Sequence, residues 1–165
     1  MQRYLLIASV LLLNSCYSYK IFPKEYRKFE YNGQKQVAFI MNPELKRENN
    51  ILKHSGIFEI TSDSSNTNCV RIKLHAVCRT GPMCGEPILA GVFTLGQFPV
   101  YFPDQYNYEF EVISQRDTTL KSFQLSVSKR YWFWDMFLFG KNFPKKAGKV
   151  LLANYYSQGI LAKTQ

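Results

Sequence analysis

Between Tyr106 and Val112 the side chains alternate without a break. Tyr106, Tyr108, Phe110 and Val112 fall on one side, and Asn107, Glu109 and Glu111 on the other. A period of two over this length is met by an extended chain with one face covered and the other in water. Cys69–Cys78 repeats the pattern, with Val70, Ile72, Leu74 and Ala76 opposite Arg71, Lys73 and His75. Phe123, Leu125 and Val127 mark a hairpin partner for the first strand, with QRDTT (Gln115–Thr119) as the turn. A sheet that is apolar on one face needs a second layer to cover it.

Two helices can form that layer. Asn42-Pro43-Glu44 reads as an N-cap, a proline at the first helical position and an acid in the first turn. Leu45, Ile51 and Leu52 supply the apolar stripe, Lys53 and His54 suit the C-terminal dipole, and Gly56 supplies a left-handed cap. A last helix from about Lys146 to Ser157 buries Leu151, Leu152 and Tyr155. Gln36–Met41 (QVAFIM) and Ile57–Thr61 (IFEIT) are two further strands. The expectation is an α+β domain over residues 36–165, a mostly antiparallel sheet of about five strands with two helices on one face. Residues 16–35 have no clean period, carry Lys20, Lys24, Arg27, Lys28 and Lys35 among aromatics, and contain Pro23 and Gly33. They read as a flexible membrane-proximal tether.

The N-terminus bears on location. Arg3 precedes the apolar run Leu5–Leu13, which is too short for a bilayer span of about 20 residues and suits a secretory signal over residues 1–15. Leu13-Asn14-Ser15-Cys16 resembles the bacterial lipobox, although Asn14 departs from the small residue common there. The resemblance implies cleavage after Ser15 and acylation of Cys16 with palmitate-type chains, and two or three such chains anchor stably. The alternatives are an ordinary cleaved signal with an incidental cysteine, and a cytoplasmic protein with a hydrophobic first strand. No Asp follows Cys16, so the inner-membrane retention signal of enteric lipoproteins is missing. The expected location is the outer membrane, facing the periplasm.

The run from the first helix into IFEIT looks like a helix–SG(x)F–strand turn found in the curli-secretion lipoprotein family, penicillin-binding-protein activator lipoproteins and the TolB N-terminal domain. Leu52, Ser55, Gly56 and Phe58 are the matching positions. The whole chain also looks like small uncharacterised lipoproteins of the Bacteroidota. These resemblances imply a cell-envelope setting and no particular activity.

Candidate chemistry is sparse. The chain has two histidines: His54 in the last turn of a helix and His75 on the charged face of a strand. No G-x-S-x-G, H-E-x-x-H, P-loop or G-x-G-x-x-G occurs. Glu109 and Glu111 share a strand face about 7 Å apart but lack a third partner. An oxidising compartment makes Cys78–Cys84 the expected disulfide, closing CRTGPMC and leaving Cys69 over. No catalytic residue, metal site or cofactor is expected.

The net charge is +9; Arg3 is the one charged residue in 1–15, so 9 − 1 leaves +8 after cleavage. Such an excess attracts anionic partners, among which export argues against nucleic acid. Gly85–Pro103 is almost uncharged and broken by Gly91, Gly96 and Pro99. Arg130–Lys146 (RYWFWDMFLFGKNFPKK) reads either as a two-sided core strand or as an exposed interaction patch. That patch comprises Arg130, Tyr131, Trp132, Phe133, Trp134, Phe137, Phe139 and Lys141. The expected function is a non-catalytic accessory or assembly lipoprotein docking on an envelope protein. The alternative is a module binding lipid or glycan, such as lipopolysaccharide or peptidoglycan.

Overall fold

A computed structural model describes residues 17–21, 24–31, 35–63, 69–81, 98–114, 117–132, 135 and 142–161. Eight strands are β1 (Tyr17–Ile21), β2 (Gln36–Ile40), β3 (Phe58–Thr61), β4 (Val70–Leu74), β5 (Cys78–Arg79), β6 (Val100–Phe102), β7 (Gln105–Ile113) and β8 (Thr118–Tyr131). Three helices are α1 (Glu25–Lys28), α2 (Lys46–Ser55) and α3 (Phe143–Leu161). The class is α+β. The sheet runs β1-β8-β7-β4-β2-β3, with β5 also on β7 and β6 also on β8. It is mostly antiparallel, with β2 parallel to both β3 and β4.

The alternating segments behave as their period requires. β7 and β8 pair from Gln105↔Ser126 to Ile113↔Thr118. Tyr106, Tyr108, Phe110, Phe123, Leu125 and Val127 are buried together. Phe110 stacks on Phe123 at 5.8 Å and meets Phe58 edge-on at 6.1 Å. Ile51 and Leu52 from α2, and Val150 and Leu151 from α3, complete this core. Gly56 takes φ 67° and closes α2 by donating its N–H to Lys53 O.

Among the described residues eight strands replace the expected five, and the three added ones are short. β1 lies in the segment read as a tether: it pairs with β8 from Tyr17↔Tyr131 to Ile21↔Val127. Ile21 is buried, Tyr19 meets Phe143 edge-on at 5.0 Å, and the Ser18 hydroxyl donates to Asp135 Oδ2 at 3.0 Å. β6 continues β7 along β8 in the same register, Phe102↔Lys129 following Gln105↔Ser126.

Cys69–Cys78 is two strands and not one. Leu74 opposes Phe110 while Cys78 opposes Asn107, so four residues on one side are matched by three on the other. That extra residue is a β-bulge, and a one-residue slip exchanges the faces of all that follows. Val77 therefore packs against the core, while Ala76 and Cys78, expected inside and at its edge, are exposed. The buried Glu48 carboxylate accepts the Val77 N–H at 3.0 Å, satisfying a donor that the bulge takes out of the ladder.

The helix starts also differ from expectation. Asn42 is not an N-cap. Its side chain donates to Leu74 O and accepts from Leu74 N, both at 2.8 Å, splicing the end of β2 to β4, and α2 begins at Lys46. α3 begins at Phe143 because Pro144 is tolerated in a first turn, where no helical N–H is needed.

Buried tyrosines give the fold an alkaline limit. Tyr108 is fully buried and donates its hydroxyl to Glu48 O at 3.0 Å. Burial raises its pKa, with Glu48 adding to the effect. Burial first, then Asp104, push Tyr106 from 10.0 up to about 12. A raised folded-state value means the native protein keeps a proton that the unfolded chain releases. This stability is complete below pH 10 and is lost as pH climbs toward 12. Tyrosinate absorbance is expected to rise in part cooperatively with loss of circular dichroism in that window. Smooth titration of every tyrosine near pH 10 with the fold intact would contradict it.

Candidate functional site

The inward row of β7 extends back to Asp104, a carboxylate where the period places a core residue. It is 1% exposed. Three groups hold it there: Arg79 Nη2 on β5 donates to Oδ1, the Tyr106 hydroxyl donates to Oδ2 at 3.1 Å, and Lys129 Nζ on β8 lies 3.7 Å from Oδ2. Its backbone carbonyl accepts from Val127 N at 3.0 Å.

Above this carboxylate opens a cleft of about 430 Å³. Tyr19, Tyr106, Phe143 and Pro144 give it an aromatic and apolar lining, and Arg47, Arg79 and Lys129 give it three cations. Phe143 sits edge-on between Tyr19 (5.0 Å) and Tyr106 (4.8 Å). The Arg47 guanidinium carbon lies over both rings, 4.5 Å from the centre of Phe143 and 5.6 Å from that of Tyr106. Five elements, α2, β1, β5, β7 and β8, converge on the start of α3. Sequence reasoning missed the cleft. The one available signal was Asp104 on the inward phase of the Tyr106–Val112 alternation.

A second feature is a basic edge where β1, α1 and α3 meet. Lys149 Nζ donates to Arg27 O at 3.3 Å, and Arg27 Nε donates to Ile21 O at 2.9 Å. Partial burial lowers the pKa of Lys20, and Arg130, Lys146 and Arg27 lower it further against the opposing pull of Asp135. Burial likewise lowers Lys146, followed by Lys149, Arg27 and Lys145. Among the described residues, none of Lys20, Lys145, Lys146 and Lys149 has a carboxylate ion-pair partner.

The residues singled out from sequence fall as follows. Cys16, Cys84, Phe133, Trp134, Phe137, Phe139 and Lys141 lie outside the described residues, as does the signal segment 1–15. No disulfide joins Cys69 and Cys78, and Cys78 is exposed on β5. Arg130 does not belong to an exposed patch. It is 9% exposed and engages Asp135 through two bonds, Nε to Oδ2 at 2.9 Å and Nη2 to Oδ1, while stacking on Trp132 at 4.9 Å. The reason is that both faces of β8 are covered near its end, where Val127 and Ser128 are both buried. Tyr131 is 38% exposed, and Tyr101 and Phe98 nearby are 41% and 67% exposed. His54 is exposed, with Nδ1 2.8 Å from Asn50 O. His75 lies on the open face of the sheet against Glu111 at 3.0 Å, which Lys73 also approaches at 3.7 Å. Glu109 accepts from Asn107 and Ser122. Among the described residues no cluster of His, Cys, Asp or Glu is arranged to hold a metal ion, and no helix is long and apolar enough to cross a membrane. No protein-family model and no curated protein matches the chain.

Proposed function

We propose that the chain is a lipid-anchored, non-catalytic binding module of the bacterial cell envelope, held at the membrane by Cys16. The observation that carries this reading is the position of the basic edge. β1 begins at Tyr17, one residue after Cys16, and Lys20 stands about 10 Å further along the strand at about 3.3 Å per residue. An acylated Cys16 would hold β1 directly against the headgroups, where Lys20, Arg27, Lys145, Lys146 and Lys149 meet anionic lipid. Each such cation contributes about 1 kcal/mol near a charged leaflet. Burial first, and the neighbouring cations second, lower Lys20 and Lys146 in the free protein, and the second of these is relieved by an anionic surface.

A protein partner is the second element of the proposal. Phe98, Tyr101 and Tyr131 expose aromatic surface around the Val100↔Tyr131 pair, at the same end of the sheet as Tyr17. Aromatic groups that stay wet at one end suit such an interface. Outer-membrane attachment facing the periplasm is the setting this reading assumes.

Fractionation of cells making wild type or Cys16→Ser tests the anchor. Wild type is expected in the membrane fraction, labelled by palmitate and resistant to a high-salt wash. The variant is expected to be unlabelled and to leave the membrane when salt screens the basic edge. Retention of Cys16→Ser through that wash would refute anchoring by Cys16. A photo-cross-linker at Tyr131 should capture one envelope protein in the same cells; capture of none would remove the docking element.

A further inference from the structure

We infer that the cleft over Asp104 is a binding site for one anionic sugar unit, a hexose-sized ring bearing a phosphate or a carboxylate. This goes beyond membrane anchoring and does not depend on it. Arg47, Arg79 and Lys129 come from three separate elements, α2, β5 and β8, yet line one cleft. Asp104 offsets one of the three charges from beneath, where its oxygens are taken up by Arg79, Tyr106 and Lys129. The Arg47 charge is left without a carboxylate partner among the described residues.

Arg47 is the telling residue. It is exposed, has no carboxylate partner among the described residues, and its guanidinium carbon lies 4.5 Å from the centre of Phe143 and 5.6 Å from that of Tyr106. A guanidinium carries its donors in a planar fork that takes a carboxylate or a phosphate in a paired contact. The partly exposed ring of Tyr19 adds an apolar wall against which the C–H face of a sugar can lie, backed by the buried Phe143. A volume of about 430 Å³ suits a ligand of that size and is too small for a folded partner. The exposed aromatics Phe98, Tyr101 and Tyr131 and the lysines of the basic edge are not among the residues that line this cleft.

The test is calorimetric titration of the full chain with glucose 6-phosphate, glucuronate, glucose and inorganic phosphate. The two anionic sugars are expected to bind, glucose not to bind, and inorganic phosphate to bind at least about tenfold more weakly than glucose 6-phosphate. Arg47→Met should weaken both anionic sugars by about tenfold or more, and Arg47→Lys should restore part of the loss. Because Arg47 is exposed, the circular dichroism of both variants should match wild type; Lys53→Met, at another exposed position on α2, is the charge-matched control and should bind as wild type. Vesicles of phosphatidylcholine with phosphatidylinositol distinguish a headgroup source from a free sugar. Vesicle binding that falls with Arg47→Met, with little uptake of the free sugars, assigns the ring to a lipid. Binding of the free sugars alone assigns it to a soluble or glycan-borne unit. The inference is overturned if neither free sugars nor vesicles bind, if Arg47→Met leaves their binding within about twofold, or if inorganic phosphate binds as well as glucose 6-phosphate.

Discussion

Gly148→Ala is expected to destabilise the protein by up to about 2 kcal/mol net, although alanine is the better helix former. A Cβ built on Gly148 would meet the His54 carbonyl carbon and Ser55 N at 2.7 Å and Ile51 O at 2.9 Å. All three atoms are backbone of the last turn of α2, so no side-chain rotation can make room. The two helices must separate, and with them the buried contact of Ile51, Leu52 and Ser55 with Ala147, Val150 and Leu151. The propensity gain of glycine to alanine, about 0.8–1 kcal/mol, works the other way, but overpacking a tight contact costs about 1–3 kcal/mol and at times more. Close contact wins. At Gly56 a Cβ has space, 3.6 Å from Lys35 Nζ, and φ 67° is the one objection, so Gly56→Ala should cost less. Urea denaturation followed by circular dichroism checks both. A Gly148→Ala protein as stable as wild type would mean that α2 and α3 do not approach this closely.

Removing Asp135 is expected to cost more, about 3–5 kcal/mol, the range for leaving one member of a buried ion pair uncompensated. Asp135 is 1% exposed and accepts from Arg130 through both oxygens and from Ser18 Oγ. Asp135→Ala strands the Arg130 charge and loosens β1, whose Ser18 loses its acceptor. Asp135→Asn keeps size and an acceptor while losing the charge, and should fall between. The double variant Arg130→Met/Asp135→Leu should recover most of the loss, because an apolar pair of similar volume does not require a paired charge. Hydrogen exchange at Tyr19 and Ile21 should accelerate in Asp135→Ala alone. A loss below about 1 kcal/mol would put this pair with exposed ion pairs, which contribute little.

What was legible from sequence follows one rule. β7, β8 and β4 were readable because alternation is a local code for an extended chain beside a one-sided core. α2 was readable at its C-terminus because Gly56 must supply a positive φ wherever that turn is built. Its N-terminus was misread because Asn42 looks like a cap in isolation. Its amide presents the same donor and acceptor that a β-strand residue offers, and Leu74, 32 positions away, claims both. The bulge between β4 and β5 was invisible for a similar reason: the slip is defined against β7, not within Cys69–Cys78. β1 was hidden because five residues containing Lys20 have too little period to stand out.

The candidate cleft divides along the same line. Asp104 lay on a readable phase, one step before Tyr106. Nothing local links it to Arg79 or Lys129, 25 positions away on either side, or joins Arg47 to Phe143. Sequence alone determined β2, β3, β4, β7 and β8, the buried faces of the alternating ones, the Gly56 cap and the basic excess, because those depend on neighbours along the chain. Tertiary structure decided that Gly148 must have no side chain, that Arg130 turns inward to Asp135, and that three cations share one cleft. Those depend on atoms brought together by the pairing of distant strands and helices, and a local pattern carries no record of them.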